Sequence, residues 1–218
     1  MKGLLFTISL LLSFSCLSQT IEKPVYYLDV NGYSIPKDVF IKKSSRNAHI
    51  NESYFSITFE NDTCYLRQLV KRKNYGRLNK SQRAKLFSNL NTNTKTPEEK
   101  FSIILYHPGR DTCNNGHFRS NGIKNNIYGK GYLRKLKTYF DYKIFWVHKK
   151  DESIKFNRVS YINWQQDKNQ FIEKLFFEYH YLCNSFLIIN NSTGNYISIF
   201  GESGGNTVVK IAKEIRGF

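Results

Sequence analysis

The chain has 218 residues, with 33 Lys and Arg against 17 Asp and Glu and a formal net charge of +16. That length suits one domain with an extension, or two small domains, and excludes a large multidomain assembly. Beyond the N-terminal run no segment stays apolar for long enough to cross a bilayer, which excludes a polytopic membrane protein. The basic balance suits anionic polymers or lipid head groups, but the basic residues are spread along the chain.

The chain opens with Lys2, then the apolar run Leu4 to Leu12, then the small and polar stretch "SFSCLSQT". This is the order of a secretory signal peptide, with cleavage expected after Ser18, so residues 1–18 are expected to be removed and the protein to be secreted or periplasmic. Cys16 offers lipid attachment, and so an outer-membrane anchor, as a second option. Ser13, however, stands where the leucine of a bacterial lipoprotein signal is usual. The remaining cysteines are Cys64, Cys113 and Cys183. Export favours a disulfide, and an odd count leaves one thiol over.

Residues 19–96 read as a β-rich segment. "VYYLDV" and "YSI" flank Asn31-Gly32, a two-residue hairpin signal. "YFSITFE" alternates so that Phe55, Ile57 and Phe59 share one apolar face. "NDT" turns the chain into the strand "CYLRQLV", with Cys64 at its start and expected to be buried and inert. The dense basic cluster "KRKNYGRLNK" reads as a solvated loop rather than a nucleic-acid patch, and no nucleic-acid partner is expected. A short helix is expected near 81–90, capped by Ser81, with Ala84, Phe87 and Leu90 inward. "NTNTKTPEE" is the linker.

Residues 97–218 read as an α/β domain. "FSIILY" is a buried strand that ends at His107-Pro108-Gly109, and a long polar loop follows. Leu133, Leu136 and Phe140 mark an amphipathic helix, and "YKIFWVH" a second strand. Asp167 and Gln170 fit a capping box ahead of a helix with Phe171, Leu175, Tyr179 and Leu182 on one side. "FLIIN" and "YISIFGE" form a hairpin through "NSTG". The last helix turns Val208, Ile211, Ala212 and Ile215 inward and Lys210, Lys213 and Arg216 outward, with Gly217 as its C-cap.

The order strand, helix, strand, helix, strand, strand, helix over residues 101–218 resembles the thioredoxin-like fold, a βαβ unit followed by a helix, a hairpin and a helix packed back on the sheet. The chain lacks the Cys-x-x-Cys motif and the proline before the hairpin that go with that family. The resemblance implies that the loop before the hairpin faces the loop after the first strand. It thereby implies that Cys113 and Cys183 come together as a disulfide or a redox-active pair. A structural bridge over that 70-residue separation would contribute roughly 4 kcal/mol. As a redox pair, Cys113 would be the attacking thiol, activated by Arg110, His117 or a helix N-terminus. The implied protein is a monomer whose partner is another protein or thiol. A non-catalytic binding or scaffolding module on the same fold is the alternative.

A third reading starts from Gly201-Glu202-Ser203-Gly204-Gly205, which fits the G-x-S-x-G elbow of α/β-hydrolases, with Ser203 as nucleophile. In that fold the acid and the histidine follow the serine. Here Glu214 follows Ser203 but no histidine does, so Ser203 and Asn206 are expected instead to cap the last helix. His107, Cys113 and His117 match no strong zinc spacing, and Gly129-Lys130-Gly131 lacks the phosphate-loop frame. No metal or cofactor is expected.

Overall fold

A computed structural model describes residues 22–45, 54–90, 97–109, 127–139, 141–149, 161–179, 181, 183–201 and 203–218. The leader, Cys16, Cys113 and His117 lie outside the described residues. The chain is an α/β protein. Among the described residues no helix is long and apolar enough to cross a membrane. Two compact units are present. One takes the described residues up to Lys42 with Ser56–Val70, and the other Lys43–Phe55 with Lys71–Phe218.

The smaller unit holds β1 (Val25–Leu28) and most of α1 (Lys37–Ser44), β2 (Tyr54–Glu60) and β3 (Tyr65–Lys71). The sheet order is β1-β3-β2, and β1 runs parallel to β3. The expected hairpin at Asn31-Gly32 is reduced to a turn. Gly32 sits at φ +86, the Asp29 carboxylate accepts from Asn31 and Tyr33 N–H, and a single bridge joins Leu28 to Ser34. α1 follows where no helix is expected and buries Phe40 against Tyr27, their rings 5.0 Å apart. On β2 the apolar face holds only in part. Phe55 is buried, Ile57 is half-buried and Phe59 is exposed. Alternation sets which side faces a core, but the extent of the core along the strand depends on what packs there.

The larger unit is a six-stranded sheet in the order β4-β9-β8-β5-β6-β7. Its strands are β4 (Lys73–Arg77), β5 (Phe101–His107), β6 (Tyr142–His148), β7 (Trp164–Gln166), β8 (Ser185–Asn190) and β9 (Asn195–Ile199). β5 pairs parallel with β6 and antiparallel with β8, and β8 and β9 form an antiparallel hairpin. Every residue of β5 and β8 is buried, as central strands covered on both faces require. Helices α3 (Lys130–Lys137) and α5 (Gly205–Ile215) cover one face, where Ile103, Leu105, Ile188 and Ile197 meet Leu136, Val208 and Ile211. Helices α2 (Lys80–Asn89) and α4 (Phe171–Phe176) cover the other, where Ile104, Leu187 and Ile189 meet Phe87, Ile172 and Phe176.

Several expectations need correction. Asn79, not Ser81, caps α2, in a reciprocal box with Gln82. The helix after Asp167 does not run to Leu182. It ends at Phe176, because Phe177 leaves helical geometry at φ −135. Asp167 does cap that helix, but across a 3-10 turn (Lys168–Gln170). Its buried carboxylate accepts from Ile172 and Glu173 N–H at 3.0 and 2.9 Å, while Gln170 stands at the helix N-cap with its N–H donating to the Asp167 carbonyl and makes no side-chain cap. "YINWQQ", within a stretch that looked irregular, supplies β7 beside β6. On α5 the four expected core residues are all buried, but Gly204 is the N-cap, and Gly217 does not sit in the left-handed region. Gly205 is required by contact: a Cβ there would lie 2.5 Å from Tyr132 Cδ1.

The basic stretch 71–80 is not a solvated loop: its middle, Lys73–Arg77, is the edge strand β4, paired antiparallel with β9, and its ends are the last residue of β3 and the start of α2. Lys73 is buried, and its ammonium donates to both carboxylate oxygens of Glu214 at 2.5 and 2.6 Å, while Tyr75 Oη donates to Oε1 at 2.6 Å. Partial burial alone would raise the Glu214 carboxyl, but the Lys73 and Tyr75 hydrogen bonds outweigh it and hold the group below its ordinary value. A carboxyl depressed in the folded state stabilises above its unfolded value and loses that contribution as pH falls through the folded one. Urea unfolding followed through that acid range should therefore show stability falling in the wild type and a flatter profile in Glu214→Gln. Equal slopes would refute the role given to this pair.

Candidate functional site

The ends of the central strands carry the most concentrated buried polar chemistry. β5 finishes with Tyr106 and His107, whose side chains leave opposite faces of the sheet. His107 is fully buried, and its Nδ1 lies 3.1 Å from Oδ1 of Asn184, the residue before β8. The same Asn184 oxygen accepts from Tyr128 Oη at 2.9 Å. An amide oxygen has no proton to give, so Nδ1 of a neutral His107 is the protonated nitrogen, which leaves Nε2 as the basic one. Tyr161 Oη in turn donates to the Tyr128 carbonyl. Trp146 and Trp164 wall the cluster, with Trp146 stacked on Tyr128 at 5.9 Å and Trp164 tilted against His107 at 5.8 Å.

Cys183 immediately precedes Asn184. It is half-buried and sits at φ +67, a left-handed backbone that a non-glycine residue adopts at a cost of about 1–2 kcal/mol. It is disulfide-bonded, and its partner lies outside the described residues, as Cys113 does. Cys64 is a free thiol and only half-buried, at the turn where its N–H donates to Asn61 Oδ1.

The Ser203 hydroxyl donates to the Gly201 carbonyl at 3.0 Å and is buried. Arg72 donates to that same carbonyl, and Gly201 N–H donates to Ser185 Oγ. Gly204, not Ser203 or Asn206, stands at the N-cap of α5. The described histidines are engaged elsewhere, His107 with Asn184 and His148 Nδ1 with the Lys149 carbonyl. Among the described residues, then, neither histidine is hydrogen-bonded to Ser203, whose hydroxyl donates to the Gly201 carbonyl instead. The described residues contain no cluster of three metal-ligating side chains.

On the opposite face Tyr106 is stacked on Phe177, and Lys149 pairs with Glu173 at 2.9 Å. Burial pushes the Asp167 carboxyl up, against the pull of the two N–H groups it accepts from. Burial likewise raises the Tyr106 hydroxyl, with the Glu173 and Asp167 charges adding to it. These groups hold α4 against the sheet.

Sequence reasoning missed Asn184 and Tyr128 and grouped His107 only with Cys113 and His117, in a spacing that matches no strong zinc pattern. A signal was present. His107 and Asn184 are polar residues set at the ends of two otherwise apolar strand runs, where burial demands a partner. Comparison of the chain with protein-family models, curated proteins and solved structures finds no match.

Proposed function

We propose that this is an exported thioredoxin-like protein with a thiol–disulfide role centred on Cys113 and Cys183. The element order supports the fold: the parallel β5-α3-β6 unit, then α4, the antiparallel β8-β9 hairpin, and α5 back on the sheet. The observation that carries the function is the Asn184–His107 hydrogen bond. It draws the loop holding Cys183 against the end of β5, from which the Cys113 segment departs. In the reductive direction the Cys113 thiolate attacks a protein disulfide, forming a mixed disulfide and releasing one substrate thiolate. The Cys183 thiolate then displaces the second. The pair ends as a disulfide, and the substrate carries away two electrons and two protons as two thiols.

Peptide mapping without reductant should join Cys113 to Cys183 and leave Cys64 open to alkylation. A bridge containing Cys64 would overturn the pairing. Insulin reduction should fall to the uncatalysed rate in Cys113→Ala. The buried hydrogen bonds around Asn184 favour a second reading, a binding module in which the bridge is a staple. Equal insulin rates in wild type and Cys113→Ala would select it.

A further inference from the structure

We propose that the outer face of the α3–α5 layer is a docking surface for an anionic lipid bilayer, held by charge. Both helices lie on the same face of the sheet and bury their apolar sides in one core. Their outward positions carry Lys130, Arg134, Lys135, Lys137, Lys210 and Lys213, all exposed, with Arg216 following α5. None of these seven forms an ion pair among the described residues. Of the ion pairs described, Lys23–Glu60 and Lys149–Glu173 lie elsewhere, and Lys73–Glu214 ties α5 to β4 without using any of the seven. The two helices contain one acid, Glu214, and it is turned to β4. Among the described residues the nearest exposed acid in sequence is Asp141, which follows α3 at its margin.

Self-repulsion among so many like charges is tolerated where an anionic partner offsets it. The partner is argued from shape and chemistry. Two helices in one layer make a broad face, which suits a plane of head groups more than a single polyanionic strand. Tyr139 and Tyr161 lie half-buried at its rim under two of the cations, with Lys213 Nζ 4.4 Å and Lys130 Nζ 4.6 Å from the ring centres. Tyrosines of this kind suit the head-group level. Among the described residues the large exposed apolar side chains lie off the two helices, the nearest being Phe218 past the end of α5 with its ring 5.6 Å from Tyr75 of β4, so the helix faces carry no wedge to insert and bind at the surface.

The test is flotation of the full chain with vesicles of phosphatidylcholine alone and of an equimolar mixture with phosphatidylglycerol. The neutral vesicles subtract uptake through the apolar Leu4–Leu12 run. The excess binding to the anionic vesicles should fall with added salt. The combined variant K130Q/R134Q/K210Q/K213Q should lose about three orders of magnitude of that excess at low salt, since each cation near such a surface acts roughly independently. The arginine-retaining variant K130R/K210R/K213R should keep it, as should K37Q/K42Q/K43Q on α1, with all variants matching the wild type in melting temperature. Equal excess binding by K130Q/R134Q/K210Q/K213Q and wild type would overturn the proposal, as would no excess in the wild type at low salt. Failure on vesicles with retention on heparin through the same residues would reassign the surface to soluble polyanions and end the lipid proposal.

Discussion

Asn184→Ala is expected to destabilise the larger unit by about 2–4 kcal/mol, because one amide oxygen serves two buried donors. His107 Nδ1–H and Tyr128 Oη–H both lose their shared acceptor in a site walled by Trp146 and Trp164. Tyr128→Phe removes a donor instead and should cost only about 1 kcal/mol. The two changes should be less than additive when combined, since each removes the same hydrogen bond. Urea unfolding of the two single variants and the double variant measures this directly. A loss within about 0.5 kcal/mol for Asn184→Ala would place it among ordinary surface substitutions and refute the buried network. The same variant frees the Cys183 loop from β5. If the thiol–disulfide proposal holds, its reduction potential should shift as well.

Gly194→Ala is expected to destabilise by about 3 kcal/mol, from two separate causes. Gly194 closes the β8-β9 turn at φ +82, where an L side chain is strained. A Cβ there would also fall 2.2 Å from the Leu78 carbonyl oxygen. That neighbour is backbone, held by Leu78 N–H donating to the Gly194 carbonyl at 2.9 Å, so it cannot swing away as a side chain would. Arg83 clamps the same turn through the Asn191 and Ser192 carbonyls. Gly32 supplies the control, with a similar φ of +86 but nothing within 4 Å of its Cβ position. Gly32→Ala should carry only the backbone strain, about 1 kcal/mol. Equal losses in the two variants by urea unfolding would show that the close approach at Gly194 has no energetic weight.

Much of the larger unit was legible in the string. β5, β6, β8 and β9 announce themselves as short apolar runs rich in β-branched and aromatic residues, and α5 by its inward spacing. The signals fail where the deciding contact is remote. Lys73 looks like one more solvated cation until Glu214, 141 residues away, accepts its hydrogen bonds. Gly205 looks like turn chemistry until Tyr132 arrives from α3. Trp164–Gln166 has no strand signature of its own and becomes β7 because the edge of β6 is there to pair with. The stripe after Phe171 promised a longer helix, but Phe177 is used as a core residue against Tyr106 instead.

The candidate site divides in the same way. Cys183 was visible by residue type and by its place before the hairpin. Asn184, Tyr128 and the tautomer of His107 were not, since each acquires its role from a partner distant in sequence. By itself the sequence determined the α/β class, the apolar strands and the core face of the last helix, because hydrophobic periodicity is local and survives without context. Only the tertiary structure decided which polar groups share a buried acceptor, which lysine is neutralised, and which glycine admits no side chain. Those outcomes depend on atoms brought together across 50 or more residues, where burial makes each unmet hydrogen bond costly.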